Sequence, residues 1–180
     1  NVPCGVEVLG MSKRIMNEVM CLAEDNGMKI YYQDTDSMHI EDRHIDPLSK
    51  LYEEKYKRTL IGKNMGQFHS DFSSDKIKKN IIAVKSLFLG KKCYIDVLEG
   101  EDENGIVVQD YHIRMKGVND IAIKYYCLTN NINPYELYKK LYEGTKIKLD
   151  LTAGGNKCSF EFNKNYTITS NNTFIREISF

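Results

Sequence analysis

The 180-residue sequence is long enough for one domain or parts of two, and 42% hydrophobic residues suffice for a packed core. Its 25 basic and 25 acidic residues cancel to a formal net charge of zero, which argues against a uniformly basic nucleic-acid binder but allows local charged patches. Because no apolar run approaches the roughly 20 residues that span a bilayer, we expect no membrane association.

The cysteine pattern favours reduced thiols over a disulfide framework or a zinc site, because the five cysteines are odd in number, widely spaced and free of CxxC pairs. We therefore expect a soluble protein of a reducing, intracellular compartment. The sequence begins with Asn-Val-Pro rather than Met, which leads us to expect a fragment of a longer protein. The cysteines are Cys4, Cys21, Cys93, Cys127 and Cys158.

The first third of the chain predicts a helix, a tight β-hairpin and a second helix. Ser12 suits a helix N-cap, apolar residues follow it at helical spacing, and Asn26-Gly27 is typical of a helix end. Asp46-Pro47 marks the start of the second helix, because proline is favoured at the first helical position. The predicted bounds are a helix over 12–25, strands over 28–32 and 37–41, and a helix over 46–61.

The rest of the chain predicts a strand-rich region around two short helices. After a loop over 63–75, two strands form a hairpin that turns near Gly90, and Asn133 caps the second helix. The predicted fold class is therefore α+β, with a domain boundary near residue 124. The predicted bounds are strands over 81–89, 92–99 and 106–115, helices over 120–128 and 134–142, and strands over 145–151, 157–162, 166–169 and 173–180.

Two carboxylates two residues apart interrupt the first hairpin, in the stretch IYYQDTDSMHI. Side chains two apart on an extended backbone point to the same side of a sheet, so one face is predicted to be apolar at both ends and acidic in the middle. Two unit charges 4 Å apart repel by about 4 kcal/mol at an effective dielectric constant near 20. A bound cation would offset that repulsion. The residues of this predicted face are Ile30, Tyr32, Asp34, Asp36, Met38 and Ile40.

The residues alone leave three interpretations of this hairpin open. Asp34 and Asp36 can be ordinary turn residues, since Asp side chains bond nearby backbone N–H groups. They can instead hold Mg²⁺ for phosphoryl transfer, because Mg²⁺ takes one or two carboxylates together with substrate phosphates. The third interpretation is an aspartyl-phosphate hydrolase with Asp34 as nucleophile, although Met38 stands where its DxDx(T/V) signature has Thr or Val. An EF-hand loop is excluded, because Met38 and His39 replace an oxygen ligand and the required glycine.

A run of lysines predicts a local basic surface. Residues 76–95 contain no acidic residue, which is the composition that a surface tracking a nucleic-acid backbone requires. The alternative is an ordinary amphipathic strand with solvated lysines. The lysines of this stretch are Lys76, Lys78, Lys79, Lys85, Lys91 and Lys92.

Three segments resemble motifs of the family B DNA polymerases. The stretch 32–37, YQDTDS, resembles the family's YxDTDS motif, which lies on a hairpin of the palm domain after a helix. Lys92 and Tyr94 match the KxY motif of the protein-primed branch, found in viruses, linear plasmids and mobile elements. The stretch 114–118, RMKGV, is similar to the basic segment with glycine at the palm–thumb junction. Their order and spacing agree with that family over most of the chain.

The resemblance implies a DNA-directed DNA polymerase that transfers nucleotides from dNTPs to a primer 3′-hydroxyl with two Mg²⁺ or Mn²⁺ ions. Asp36 would be the principal metal ligand and Asp34 a supporting catalytic carboxylate. Tyr32 and Thr35 would lie near the nucleotide, although core packing and turn stabilisation are their simpler roles. The residues implied to contact primer or template DNA are Lys91, Lys92, Tyr94, Arg114 and Lys116.

The resemblance also implies a partial polymerase. The family's second catalytic aspartate, its nucleotide-binding helix and its exonuclease motif precede the YxDTDS motif and do not occur in this sequence. Residues 1–124 would then be the end of the palm and residues 125–180 the thumb. The implied partners are primer–template DNA, dNTPs, a terminal priming protein and the missing N-terminal part of the polymerase. A viral source would place the protein in the host cytoplasm or a virus factory. A non-catalytic DNA-binding remnant is the alternative.

Overall fold

A computed structural model describes residues 2–152, 159–171 and 174–180. These residues form helices and antiparallel strands, so the fold is α+β, as predicted. The chain divides into two compact units, Asn1–Asp71 and Phe72–Phe180. The proposed palm–thumb boundary near residue 124 lies inside the second unit and stays a prediction.

The first unit contains two helices and the predicted hairpin. Helix α1 begins at Val2 rather than at Ser12, so Ser12 lies inside the helix and is not its N-cap. The predicted start was wrong because Val2, Val6 and Leu9 continue the helical spacing although their side chains are exposed. The elements are α1 (Val2–Asp25), β1 (Ile30–Asp34), β2 (Ser37–Ile40), a 3₁₀ turn (Asp42–His44) and α2 (Ile45–Tyr56).

A small apolar core holds the hairpin of the first unit in place. Val19 and Ala23 of α1 and Leu48 and Tyr52 of α2 are buried in this core, and Met38 of the hairpin packs against it. One face of the hairpin is therefore occupied by helix packing.

The second unit is built on a three-stranded antiparallel sheet in the order β3-β4-β5. The Asn133 side chain and Glu136 form a capping box at the start of α4, which confirms the predicted cap. Lys157, Cys158 and Thr173, which fall at the starts of two predicted strands, lie outside the described residues. The elements are β3 (Lys79–Gly90), β4 (Cys93–Glu101), β5 (Val107–Met115), α3 (Asp120–Thr129), α4 (Pro134–Tyr142), β6 (Ile147–Asp150), β7 (Ser159–Phe162), β8 (Ile168–Asn171) and β9 (Ile175–Ile178).

One face of this sheet packs against α3 and α4. The Tyr138 hydroxyl, buried in α4, donates a hydrogen bond to the Arg114 carbonyl of β5 at 2.8 Å, which ties the helix to the sheet. Burial raises the pKa of the Cys93 and Cys127 thiols to about 11, which keeps them protonated and unreactive. The core residues are Cys93, Ile95, Ile113, Met115, Ala122, Ile123, Cys127, Leu137, Tyr138, Leu141, Ile147, Leu149, Leu151 and Ile178.

Within the described chain, Cys4, Cys21, Cys93 and Cys127 are free thiols, as predicted, and Cys158 lies outside it. Across the same residues, no helix combines the length and apolar character needed to cross a bilayer.

Glu18 of α1 joins the two helices of the first unit and makes their stability depend on pH. Its carboxylate accepts hydrogen bonds from Arg14, from Tyr52 at 2.9 Å and from Arg58. Burial raises the pKa of Glu18, but these three hydrogen bonds together outweigh it and hold the pKa below the ordinary value of 4.5. The stabilisation is therefore present above pH 4.5 and is lost as the pH falls through the lowered folded-state pKa.

We expect Glu18→Gln to cost about 1–2 kcal/mol near neutral pH, because hydrogen bonds to a charged group are lost. The variant should also lose less stability than the wild type as the medium is acidified from about pH 6 to about pH 3. Urea unfolding followed by circular dichroism at several pH values measures both effects. Glu24→Gln, at an exposed position of α1, is the matched control. Parallel pH profiles for the wild type and Glu18→Gln would contradict the prediction.

Candidate functional site

The first group of predicted site residues lies at the tip of the β1–β2 hairpin. The strands pair in antiparallel register, with Asp34 opposite Ser37 and Thr35-Asp36 as a two-residue turn. Tyr32 lies opposite His39, and their rings meet edge to face with centroids 5.6 Å apart. Because directly opposed side chains share a face of the sheet, Tyr32 and Asp34 lie on a face with Ser37 and His39.

The predicted single face of six residues is therefore wrong. The turn takes Asp36 out of both strands, and the strand after it resumes with Ser37 beside Asp34. Gln33 lies opposite Met38, so Met38 belongs to the other face, the one that packs against the core. A register shift between Ile30 and Tyr32 brings Ile30 opposite Ile40. Alternation along a single strand does not continue through a turn, which is the physical reason for the error.

The two carboxylates of the hairpin differ in environment. Asp34 is half-buried, and its Oδ1 accepts hydrogen bonds from the Thr35 backbone N–H at 2.8 Å and the Thr35 hydroxyl at 3.1 Å. Thr35 therefore orients the Asp34 carboxylate, in agreement with a turn-stabilising role for Thr35. Asp36 is exposed at the second position of the turn. Its carboxylate is accessible to a ligand in solvent.

The carboxylate oxygens at this tip belong to the class of ligands that Mg²⁺ prefers. Carboxylate oxygens are hard ligands, and Mg²⁺ usually takes one or two of them and completes its octahedron with water and substrate phosphates. Across residues 2–152, 159–171 and 174–180, no three His, Cys, Asp or Glu side chains converge to hold a metal ion. Asp34 and Asp36 therefore do not form a self-contained metal site within these residues.

The second group of predicted residues gathers at one end of the β3–β4–β5 sheet. Lys91 and Lys92 form the β3–β4 turn, and the Lys116 backbone N–H donates to the Lys92 carbonyl at 3.0 Å. Tyr94 of β4 lies opposite Arg114 of β5. Lys91, Arg114 and Lys116 are exposed and Lys92 is half-buried. We call these four basic residues the basic end of the sheet.

The prediction that Lys92 and Tyr94 lie on one strand is wrong. Strand β4 begins at Cys93, and Lys92 has a left-handed backbone with φ of 58°. A tight turn between twisted antiparallel strands requires positive φ, and here a lysine adopts it. Tyr94 is only 8% exposed, with its ring 5.8 Å from Phe88 and 5.9 Å from His112. Tyr94 therefore packs against the aromatic rings of its neighbours on the sheet.

The six lysines of the predicted basic surface do not lie together, because strand β3 separates those at its start from Lys91 and Lys92 after its end. Strand β3 spans 12 residues, so at about 3.3 Å per residue its two ends lie roughly 40 Å apart. Lys79, at the start of β3, lies opposite Glu101, and Lys76 is 3.9 Å from the Asp110 carboxylate. The Lys85 ammonium lies 4.5 Å from the centre of the Tyr135 ring. Only Lys91 and Lys92 of the original six belong to the basic end.

A buried polar row lies beside the basic end and was not predicted. The Ser86 hydroxyl donates to Asp96 Oδ1 at 2.6 Å, and Asp96 Oδ2 lies 3.0 Å from His112 Nδ1. The three residues are direct cross-strand neighbours on β3, β4 and β5, and Asp96 is fully buried. The Phe72 ring packs on His112 with centroids 5.5 Å apart. An aspartate inside the apolar run YIDVL was the available signal, since a buried carboxylate requires partners.

No protein-family model matches the chain, and no curated protein sequence matches it either. The function of this chain must be inferred from its own residues and from the motifs in its sequence.

Proposed function

We propose that the chain is part of a metal-dependent nucleotidyl transferase. More specifically, we propose that it is the C-terminal portion of a DNA-directed DNA polymerase of family B, in the protein-primed branch. The observation that supports this most directly is the position of YQDTDS on an antiparallel hairpin that is anchored by helices on one face and presents Asp36 in its turn. Such a tip can approach a triphosphate without disturbing the core.

Each carboxylate has a distinct role in this proposal. Asp36 binds the metal from the turn, and Asp34, held by Thr35, supplies fixed negative charge beside it. When bound, the metal would neutralise charge on the triphosphate and help to deprotonate the primer 3′-hydroxyl. Tyr32 packs against His39 and supports the strand that carries Asp34. Catalysis of this kind depends mainly on positioning and electrostatics.

The basic end serves primer and template in the same proposal. Lysines meet phosphates as point charges, and an arginine can do so with two parallel N–H donors. Lys91, Lys92, Arg114 and Lys116 combine four positive charges at one edge of a chain that is neutral overall. In this proposal Tyr94 does not touch DNA. It packs beside Arg114, the residue directly opposite it on the neighbouring strand.

The two other interpretations differ in the support they have. An aspartyl-phosphate hydrolase is not favoured, because β1 pairs with an antiparallel neighbour and is not a buried parallel strand. A DNA-binding remnant remains the second candidate, because no metal-binding group of three side chains forms among the described residues, whereas binding DNA through the basic end needs no metal. Such a remnant would keep its DNA affinity after Asp36→Ala and lose affinity after Lys92→Ala, while the restored full-length chain would extend no primer.

We expect that the 180-residue chain alone cannot extend a primer, because the second catalytic aspartate is not in its sequence. A longer product that includes the coding region upstream of Asn1 should extend a primer in the presence of Mg²⁺ or Mn²⁺. Incorporation of a labelled dNTP on a primed template measures the activity of the 180-residue chain and of the longer product. Primer extension by the 180 residues alone would contradict the first expectation, because it would show that the carboxylates of this chain suffice for catalysis. Inactivity of the longer product, despite an upstream aspartate motif, would contradict the proposed function.

A further inference from the structure

Arg176 of β9 reaches the basic end from the far end of the sequence. Its Nη1 donates a hydrogen bond to the Gly117 carbonyl at 3.4 Å, across 59 positions of the chain. Gly117 follows Lys116, whose N–H is bonded to Lys92. A chain of backbone and side-chain contacts therefore connects Arg176 to Lys116 and Lys92 of the basic end.

The Arg176 guanidinium is available to an anion. Arg176 is exposed, and within the described part of the chain it forms no ion pair with a carboxylate. A guanidinium has five N–H donors, of which the Gly117 carbonyl occupies one. The contact with Gly117 restrains the long side chain, so that less rotamer freedom is lost when the remaining donors bind a ligand.

The acidic groups nearest to Arg176 and Gly117, in sequence or through the pairing of β6 with β9, are bonded to other partners. Glu177 follows Arg176 on β9 and therefore points to the other face of its sheet, where its Oε1 is 3.6 Å from the Lys146 ammonium. Asp120, after Gly117, lies 3.2 Å from the Lys124 ammonium. Asp150 accepts hydrogen bonds from Thr152. Among the described residues, none of these three carboxylates forms an ion pair with Arg176.

The backbone conformation of Gly117 favours glycine, whereas the exposed Arg176 guanidinium could move away from a Cβ at this position. The Gly117 φ of +84° is a conformation that residues with a side chain rarely adopt, and a Cβ there would lie 2.8 Å from Arg176 Nη1. The glycine of the RMKGV segment therefore both turns the chain after β5 and leaves space for the guanidinium.

We propose that Arg176, with Lys116 and Lys92, forms a phosphate-binding subsite that holds the sugar–phosphate backbone of DNA at the basic end. The subsite rests on the proposed polymerase function and adds to it a residue that no motif contains. Binding neutralises backbone phosphates and releases their counterions, so the affinity must fall as salt rises. The guanidinium supplies directed N–H donors, while the lysines supply point charges.

The test uses the 180-residue chain and a fluorescein-labelled primer–template duplex, with affinity measured by anisotropy over a series of salt concentrations. Arg176→Gln should weaken binding about threefold to tenfold at low salt and reduce the slope of log K against log salt by about 0.9. Arg176→Lys should restore most of the slope, because it keeps the charge. Gly117→Ala should reproduce part of the Arg176→Gln loss. Circular dichroism establishes that each variant is folded.

Lys146→Gln is the matched control, because it removes one positive charge from an exposed residue that pairs with Glu177 beside Arg176. We expect it to keep the wild-type slope. The subsite would be overturned if Arg176→Gln had the same slope of log K against log salt as Lys146→Gln. If Lys92→Gln still reduced that slope, the proposed function would remain intact. If Lys92→Gln also had no effect, or if the wild-type chain bound no duplex, both the subsite and the DNA-binding part of the proposed function would be overturned.

Discussion

Replacing Asp36 by alanine in the longer protein that we propose to be a polymerase should reduce nucleotide incorporation by about a thousandfold or more, the scale of other groups that neutralise charge in phosphoryl transfer. Asp36 is exposed in a two-residue turn and packs against no core, so the free energy of unfolding should change by no more than about 0.5 kcal/mol. Steady-state primer extension and urea unfolding measure the two quantities. The expected result is a folded enzyme without activity.

Glu54→Ala is the matched control for Asp36→Ala, since Glu54 is an exposed carboxylate of α2 in the same unit. It should leave primer extension unchanged. Asp34→Ala should cause a smaller loss than Asp36→Ala, because Asp34 is the supporting carboxylate in the proposal. Incorporation by Asp36→Ala at the rate of the Glu54→Ala control would reject Asp36 as a metal ligand.

Removing the Asp96 carboxylate should give the largest loss of stability among the polar residues described. Asp96→Ala leaves the buried His112 ring and the Ser86 hydroxyl without their partner, and breaking a buried pair in this way costs about 3 kcal/mol or more. Asp96→Asn, which can still form hydrogen bonds, should lose less. Hydrogen exchange of the β3–β5 amides measures the effect in the second unit, because opening of the sheet controls their exchange.

An exposed acidic residue of the same sheet provides the comparison for Asp96. Glu103 lies in the β4–β5 turn, and Glu103→Ala should change amide protection by no more than about 0.5 kcal/mol. Equal protection in Asp96→Ala and Glu103→Ala would mean that the Ser86–Asp96–His112 row contributes nothing to the stability of the sheet.

The parts of the fold that were predicted from sequence depend on short-range signals. The start of α4 was predicted to the residue, because Asn133 is a favoured N-cap residue and Pro134 is favoured at the first helical position. The hairpin around the aspartates was predicted because two β-rich runs flank a polar turn. The start of α1 was missed because Ser12 offered a local cap that the longer apolar pattern overrode.

The parts of the site that were missed depend on register and on long-range pairing. The two-residue turn, not the alternation of residues along β1, decides that Asp34 lies beside Ser37. His112 meets Asp96 across 16 positions and Arg176 meets Gly117 across 59, and neither pairing has a local signal. Such contacts become visible only when the strands are assembled.

The left-handed backbone at Lys92 makes it possible to ask whether this lysine is kept for its backbone conformation or for its charge. The conformation costs a lysine about 1 kcal/mol that glycine would avoid, and asparagine tolerates it better than most residues. Asparagine is also a single third-position nucleotide change away from either lysine codon. Pressure on turn stability alone would therefore have an easy mutational path to the substitution Lys92→Asn. A comparison of this codon among relatives would separate selection for the backbone, which favours asparagine or glycine, from selection for the ammonium group, which retains lysine.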